Sequence, residues 1–191
     1  MIIPISIALS TTGVLQSQKQ LTPSPLRMDI PFDAAWDGML LTLTENNFAI
    51  LRQNRSQGSI LSDFREYSSG PLTERHIGKI GTTPKLVDGE WLRVQYQYEV
   101  VVELITERET VLTVYTNISA LKRTFLGVED WITIEPTGKL ETELLMKFGK
   151  LLFGGAFSLP ETKKSYQDRE PVYVPNPVER IPKVIGPERI P

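Results

Sequence analysis

The chain contains no cysteine among its 191 residues. That removes disulfides, thiolate metal centres, iron–sulfur clusters, cysteine nucleophiles and any cysteine-borne lipid in this sequence. Histidine is nearly as scarce, with His76 alone. No site needing several imidazoles can form, and a Ser-His-Asp triad would have to run through this one residue. An excess of one charge is missing as well: 21 Lys and Arg stand against 23 Asp and Glu, a net charge of −2. Binding nucleic acid takes concentrated positive charge, which this balance does not provide. What is present is globular in kind, 40% hydrophobic and 23% charged, in a length suited to one domain.

Composition divides the chain into three. Residues 1–27 form an apolar N-terminal segment whose first 26 residues hold a single charge, Lys19. Its apolar run at 2–15 lacks the basic start of an export signal and is shorter than the ~20 residues that cross a bilayer. Two readings stay open: a flexible or edge-packed end, or a degenerate or truncated export signal. Residues 158–191 are proline-rich, with Pro160, Pro171, Pro175, Pro177, Pro182, Pro187 and Pro191. Proline fixes φ and donates no hydrogen bond, so an extended tail is expected, with neither helix nor central strand. The tail carries Glu-Arg-Ile-Pro twice, at Glu179–Pro182 and Glu188–Pro191, and is expected to dock in extended form on a partner or a second copy. Between the two lies the folded domain, residues 28–157.

Inside the domain, Phe32, Ala35, Trp36, Met39, Leu40 and Leu43 make one helical stripe, ended by Asn46 and Asn47. Strands are predicted at Met28–Pro31, Phe48–Gln53 and Gly58–Tyr67, then a long irregular connection over 68–90. Leu92–Leu104 alternates strictly, with even-numbered residues apolar and most odd-numbered ones polar. An antiparallel sheet with one wet face gives that pattern. Thr110–Ser119 is its partner strand and Trp131–Glu135 another. Leu140, Leu144, Leu145, Phe148, Leu151 and Leu152 form a second helical stripe, stopped by Gly154-Gly155. The predicted order is β-α-β-β-β-β-β-α, an α+β fold with an antiparallel sheet and two helices packed on one face.

Few residues look chemical. Gly78–Pro84 lacks the spacing of a phosphate loop. His76 has no neighbour in sequence that makes it a base, so it is expected to face solvent. Asp33 and Asp37 lie one helical turn apart, where helix-dipole and solvation roles suffice. Trp36, Trp91, Trp131, Tyr96, Tyr98 and Tyr115 lack interleaved basic residues and read as core, not as a base-stacking platform. No catalytic, cofactor-binding or metal-binding residue is assigned, no cofactor is expected, and the chain is not read as an enzyme.

The stretch Pro31–Phe64 (PFDAAWDGMLLTLTENNFAILRQNRSQGSILSDF) resembles the repeated domain of the BamC (NlpB/DapX) lipoproteins. The likeness lies in the opening Pro-Phe, a Trp-containing amphipathic helix, Asn-Phe-x-Ile, a polar turn and Gly-x-Ile. It implies a helix-grip fold and a non-catalytic cell-envelope accessory protein, aiding outer-membrane assembly through protein–protein contacts. The implied location is the envelope or periplasm, with protein partners, no nucleic acid and no transmembrane span. The chain departs from that family in having no lipobox cysteine, one domain instead of two, and its proline-rich segment at the C-terminal end. The alternative is a helix-grip protein binding a small molecule or lipid, which needs a cavity of several hundred Å³.

Overall fold

Helix α1 (Phe32–Glu45) buries Ala35, Trp36, Met39 and Leu43, the stripe its spacing predicts. Asn47 ends it in the left-handed conformation at φ 59°. There the Phe48 amide donates to Leu43 O at 2.9 Å and the Asn47 amide to Thr44 O at 2.9 Å, while Phe48 turns into the core beside Leu43. This paired closure satisfies carbonyls that a helix end otherwise leaves open. The computed structural model describes residues 25–155, 157–159 and 172–174, so the proline-rich tail apart from 158–159 and 172–174, and with it both Glu-Arg-Ile-Pro copies, lies outside the described residues.

The remaining elements are β1 (Leu26–Met28), β2 (Ile50–Asn54), β3 (Ser59–Ser62), β4 (Arg65–Ser69), α2 (Thr73–Ile80), β5 (Gly81–Thr82), β6 (Glu90–Thr106), β7 (Glu109–Arg123), β8 (Glu129–Pro136), α3 (Lys139–Phe153) and β9 (Val172–Val174). A short 3-10 turn, Arg55–Gln57, joins β2 to β3. The long hairpin β6–β7 is the spine. β3 and β4 share the free flank of β6, with β2 beyond β3. β1 and β8 share the far flank of β7. β5 pairs with β8, and β9 lies parallel to β1, whereas the other ladders are antiparallel. The α+β class and the antiparallel sheet are as predicted.

Several details differ. Among the described residues there are nine strands and three helices, not six and two. The connection 68–90 contains α2, whose inward stripe is only Thr73, Ile77 and Ile80. Three residues, interrupted by Gly78 and bounded by Gly70 and Gly81, are too brief a period to stand out in sequence. The strand predicted over Gly58–Tyr67 is two strands. Asp63 accepts a hydrogen bond from the Phe64 amide at 2.7 Å, and this local turn kinks the chain so that β3 and β4 pair with different stretches of β6. The first strand is centred upstream of Met28–Pro31, because the ladder to β7 runs over Leu26–Met28, although Ile30 is buried as well.

On β6 the alternation holds from Val94 to Val102: Val94, Tyr96, Tyr98, Val100 and Val102 are buried beneath the helices. It fails at both ends. A bulge between Trp91 and Arg93 turns Trp91 inward in place of Leu92, and Leu104 is 59% exposed where the hairpin overruns its cover. α3 buries Leu140, Leu144, Leu145 and Phe148, but Leu151 lies outside. Gly149 is required by close approach: a Cβ there would stand 2.0 Å from the Phe157 ring.

Candidate functional site

The space between helices and sheet comes first, because a small-molecule binder would use it. Phe48 meets Tyr98 edge-on at 5.0 Å and Tyr96 at 5.6 Å, and the two tyrosines meet each other at 5.4 Å. Tyr67 adds a fourth ring at 5.9 Å from Tyr96. The Tyr98 hydroxyl donates to Leu140 O on α3 at 3.1 Å. Burial pushes the Tyr98 phenol well above its ordinary range, so it stays a neutral donor. With Trp36 and Phe148 also buried, large side chains pack this volume densely.

Glu141 lies at the edge of that interior, on the first turn of α3. It is 3% exposed, and neither its Oε2 nor the buried Thr116 Oγ1 has a hydrogen-bond partner among the described residues. Burial raises its carboxyl pKa, and its own amide opposes this only in part.

His76 does not face solvent as predicted. It is half-buried on α2, its Nδ1 against the Ser68 hydroxyl and its ring edge-on to Tyr67 at 6.2 Å. α2 brings the pair together, and a helix unrecognised in sequence hides it. A hydroxyl beside an imidazole outlines a nucleophile and base. Among the described residues, however, no third side chain bonds the imidazole to orient it.

Asp33 and Asp37 do share a face, but a cation stands between them. Arg55 Nη2 donates to Asp33 at 2.6 Å and Nη1 to Asp37 at 3.3 Å. The guanidinium also lies over Phe32 and Trp36, at 5.9 and 5.8 Å. The carboxylates hold the Arg55 pKa above its ordinary value, Asp33 most strongly. A carboxylate pair doing acid–base work shares a proton, whereas these two share a guanidinium.

The aromatic set divides. Trp36, Trp91, Tyr96 and Tyr98 are core as predicted, but Trp131 is 46% exposed, with the Arg93 guanidinium over its ring at 5.7 Å. Tyr115 is only half-buried, on the side of the sheet away from the helices.

Exposed apolar residues are spread over several elements, Leu104 and Ile105 at the β6–β7 tip among them, but the most exposed, Val87, Phe125 and Leu126, lie in two loops at the other end of the sheet. The β7–β8 turn puts Phe125 at 84% exposure and Leu126 at 91%. Val128 follows at its base, and Val87 is fully exposed in the neighbouring loop. That loop runs close by, since a Cβ on Gly89 would meet Arg123 O at 2.0 Å. The turn has a fixed shape. The Thr124 amide donates to Val128 O at 2.9 Å, the Gly127 amide to Thr124 O at 2.9 Å, and the Val128 amide to Thr124 Oγ1 at 3.2 Å. At its root Arg123 donates to Glu129 through Nη2 at 2.8 Å and Nε at 3.0 Å. Sequence reasoning missed this turn. Its signal is Phe125-Leu126-Gly127, two large apolar residues where hairpin turns are normally polar.

Among the described residues no group of acidic and histidine side chains is placed to hold a metal ion, and no helix is long and apolar enough to cross a membrane. Compared with known proteins, the chain matches no family model and no curated protein.

Proposed function

We propose that this chain is a non-catalytic protein-contact domain of the cell envelope, a helix-grip module of the BamC-like kind, with the β7–β8 turn as its docking finger. The observation that carries the reading is the turn itself: two adjacent large apolar side chains on a hydrogen-bonded, ion-paired base, almost wholly in solvent. Contiguous exposed apolar surface on a folded domain marks a contact site, and aromatic anchors at such sites carry much of the binding energy. The dense aromatic packing under the helices favours this over the ligand-binding alternative. Support for the family likeness comes from Pro31–Phe64, where α1 and the β2–β3 hairpin follow one another in the order the resemblance implies.

The test is cross-linking in the native envelope, comparing wild type with Phe125→Ser/Leu126→Ser. The double variant is expected to keep its melting temperature, since neither side chain packs, and to lose at least about tenfold of cross-linked partner, in line with hot-spot truncation. His76→Ala is expected to retain it. Equal recovery from wild type and the double variant would refute the docking finger. Loss in His76→Ala with unchanged stability would redirect attention to the Ser68–His76 pair.

A further inference from the structure

β1 and β9 are built alike in sequence. Pro25-Leu26-Arg27-Met28-Asp29-Ile30-Pro31 and Pro171-Val172-Tyr173-Val174-Pro175 each set a short strand between prolines. Proline has no amide to donate, so neither strand can extend its ladder past these residues. The two pair in parallel register, Leu26 with Val172, Arg27 with Tyr173 and Met28 with Val174. On its other edge β1 is fixed to β7 at Thr110–Leu112. Leu26 and Met28 are buried, at 1% and 0% exposure, and Thr110 Oγ1 donates to Ile30 O at 2.8 Å. The backbone of β1 is thus held from within the domain, and its outer edge is formed whether or not a strand lies on it.

A three-residue ladder carries few hydrogen bonds, so its occupancy rests on tethering. A segment of the same chain has an effective concentration of roughly millimolar order, far above that of a second copy at micromolar protein. We propose that the outer edge of β1 is a peptide-strand site which this chain fills with its own residues 172–174, and that an external extended peptide enters only by displacing them. The ligand class is a proline-bracketed run of β-forming residues, added through main-chain hydrogen bonds. This site lies apart from the docking finger, and neither depends on the other.

The absence of native cysteine makes the test clean. In the full chain, Arg27→Cys/Tyr173→Cys places one thiol on each partner of a registered pair, within the Cα separation a disulfide spans. In the Arg27–Glu109 ion pair that this removes, the Arg27 side chain is 45% exposed and the Glu109 side chain 15%, so the reduced form of the variant serves as the reference for the oxidised one. Oxidised at micromolar concentration, the variant is expected to close its disulfide within one chain and run as a compacted monomer. The probe is a labelled synthetic peptide of residues 170–176. It should bind a full-length Val172→Pro/Val174→Pro variant at least tenfold more tightly than wild type, and it should not bind the oxidised, locked chain. A cross-linked dimer would show exchange between copies and overturn the intramolecular assignment. No cross-link, or peptide binding indifferent to the lock, would overturn the site. If the proline variant does not fold, the locked and reduced forms of the cysteine pair still decide the question.

Discussion

Glu141 illustrates how a single side chain can weaken the fold that surrounds it. Among the described residues no cation pairs with its buried carboxyl, and its pKa is raised from the ordinary 4.5. The folded state therefore keeps the proton to a higher pH than the unfolded chain. Stability from this group is whole below the ordinary value, declines as pH rises through the raised one, and stays reduced above it. Glu141→Gln keeps the shape of the protonated acid and removes the charge. It is expected to raise the melting temperature at pH 8 and to leave it unchanged at pH 4, measured by scanning calorimetry. A variant less stable than wild type at pH 8 would mean that an ionised Glu141 is held by a partner. Nothing in the sequence Lys139-Leu140-Glu141-Thr142 sets this glutamate apart from Glu143, because which of them meets Thr116 depends on how α3 lies across β7. Asp33 and Asp37 were legible as one helical face; their partner Arg55, on the 3-10 turn between β2 and β3, was not.

At the scale of elements, β6 offers the sharpest test. Val100 is fully buried beneath the helices, and Glu99 is half-buried on the opposite side, across from Tyr115. Val100→Asp is expected to cost on the order of 4 kcal/mol, or to prevent folding, because it buries an unpaired charge. Glu99→Lys should change stability by about 0.5 kcal/mol or less. Urea denaturation of the two variants distinguishes them, and similar losses would reverse the faces assigned to the strand. Elements with many repeats of their period were legible in this way. α1 and α3 each show a stripe several residues long, and β6 alternates through five buried residues. Elements set by one or two local contacts were not legible. α2 has a three-residue stripe, the break between β3 and β4 depends on Asp63 bonding one amide, and β5 is two residues long. Leu104 shows the converse. The alternation in sequence continues through it and predicts burial, yet it is exposed because no helix reaches the end of the hairpin.

Across the whole molecule, order should decline outward from the spine. Hydrogen exchange is expected to be slowest in Val94–Val102 and in Leu112–Ala120, the paired middle of the hairpin whose apolar side chains are buried. It should be at least about a hundredfold faster at the hairpin tip, residues 103–109, where local opening exposes little apolar surface. Uniformly fast exchange along β6 would mean that the long hairpin is not the stable centre. Of the proline-rich tail, expected to be extended, Val172–Val174 forms an edge strand. Its partner, though, is β1 of the same sheet, where a partner protein or second copy was expected, and residue patterns alone give no way to choose among them. The pairing of Leu26 with Leu112 on β7, and of β1 with β9 later still, has a further consequence for how the chain comes into being. A ribosome or a translocation channel delivers it N-terminus first. β1 must wait, unpaired and with Leu26 and Met28 uncovered, until the spine has emerged. Its outer edge must wait longer, until Val172–Val174 has emerged. During that interval the nascent protein offers bare strand edge to whatever holds it, so its need for a chaperone should last until Val172–Val174 can reach β1.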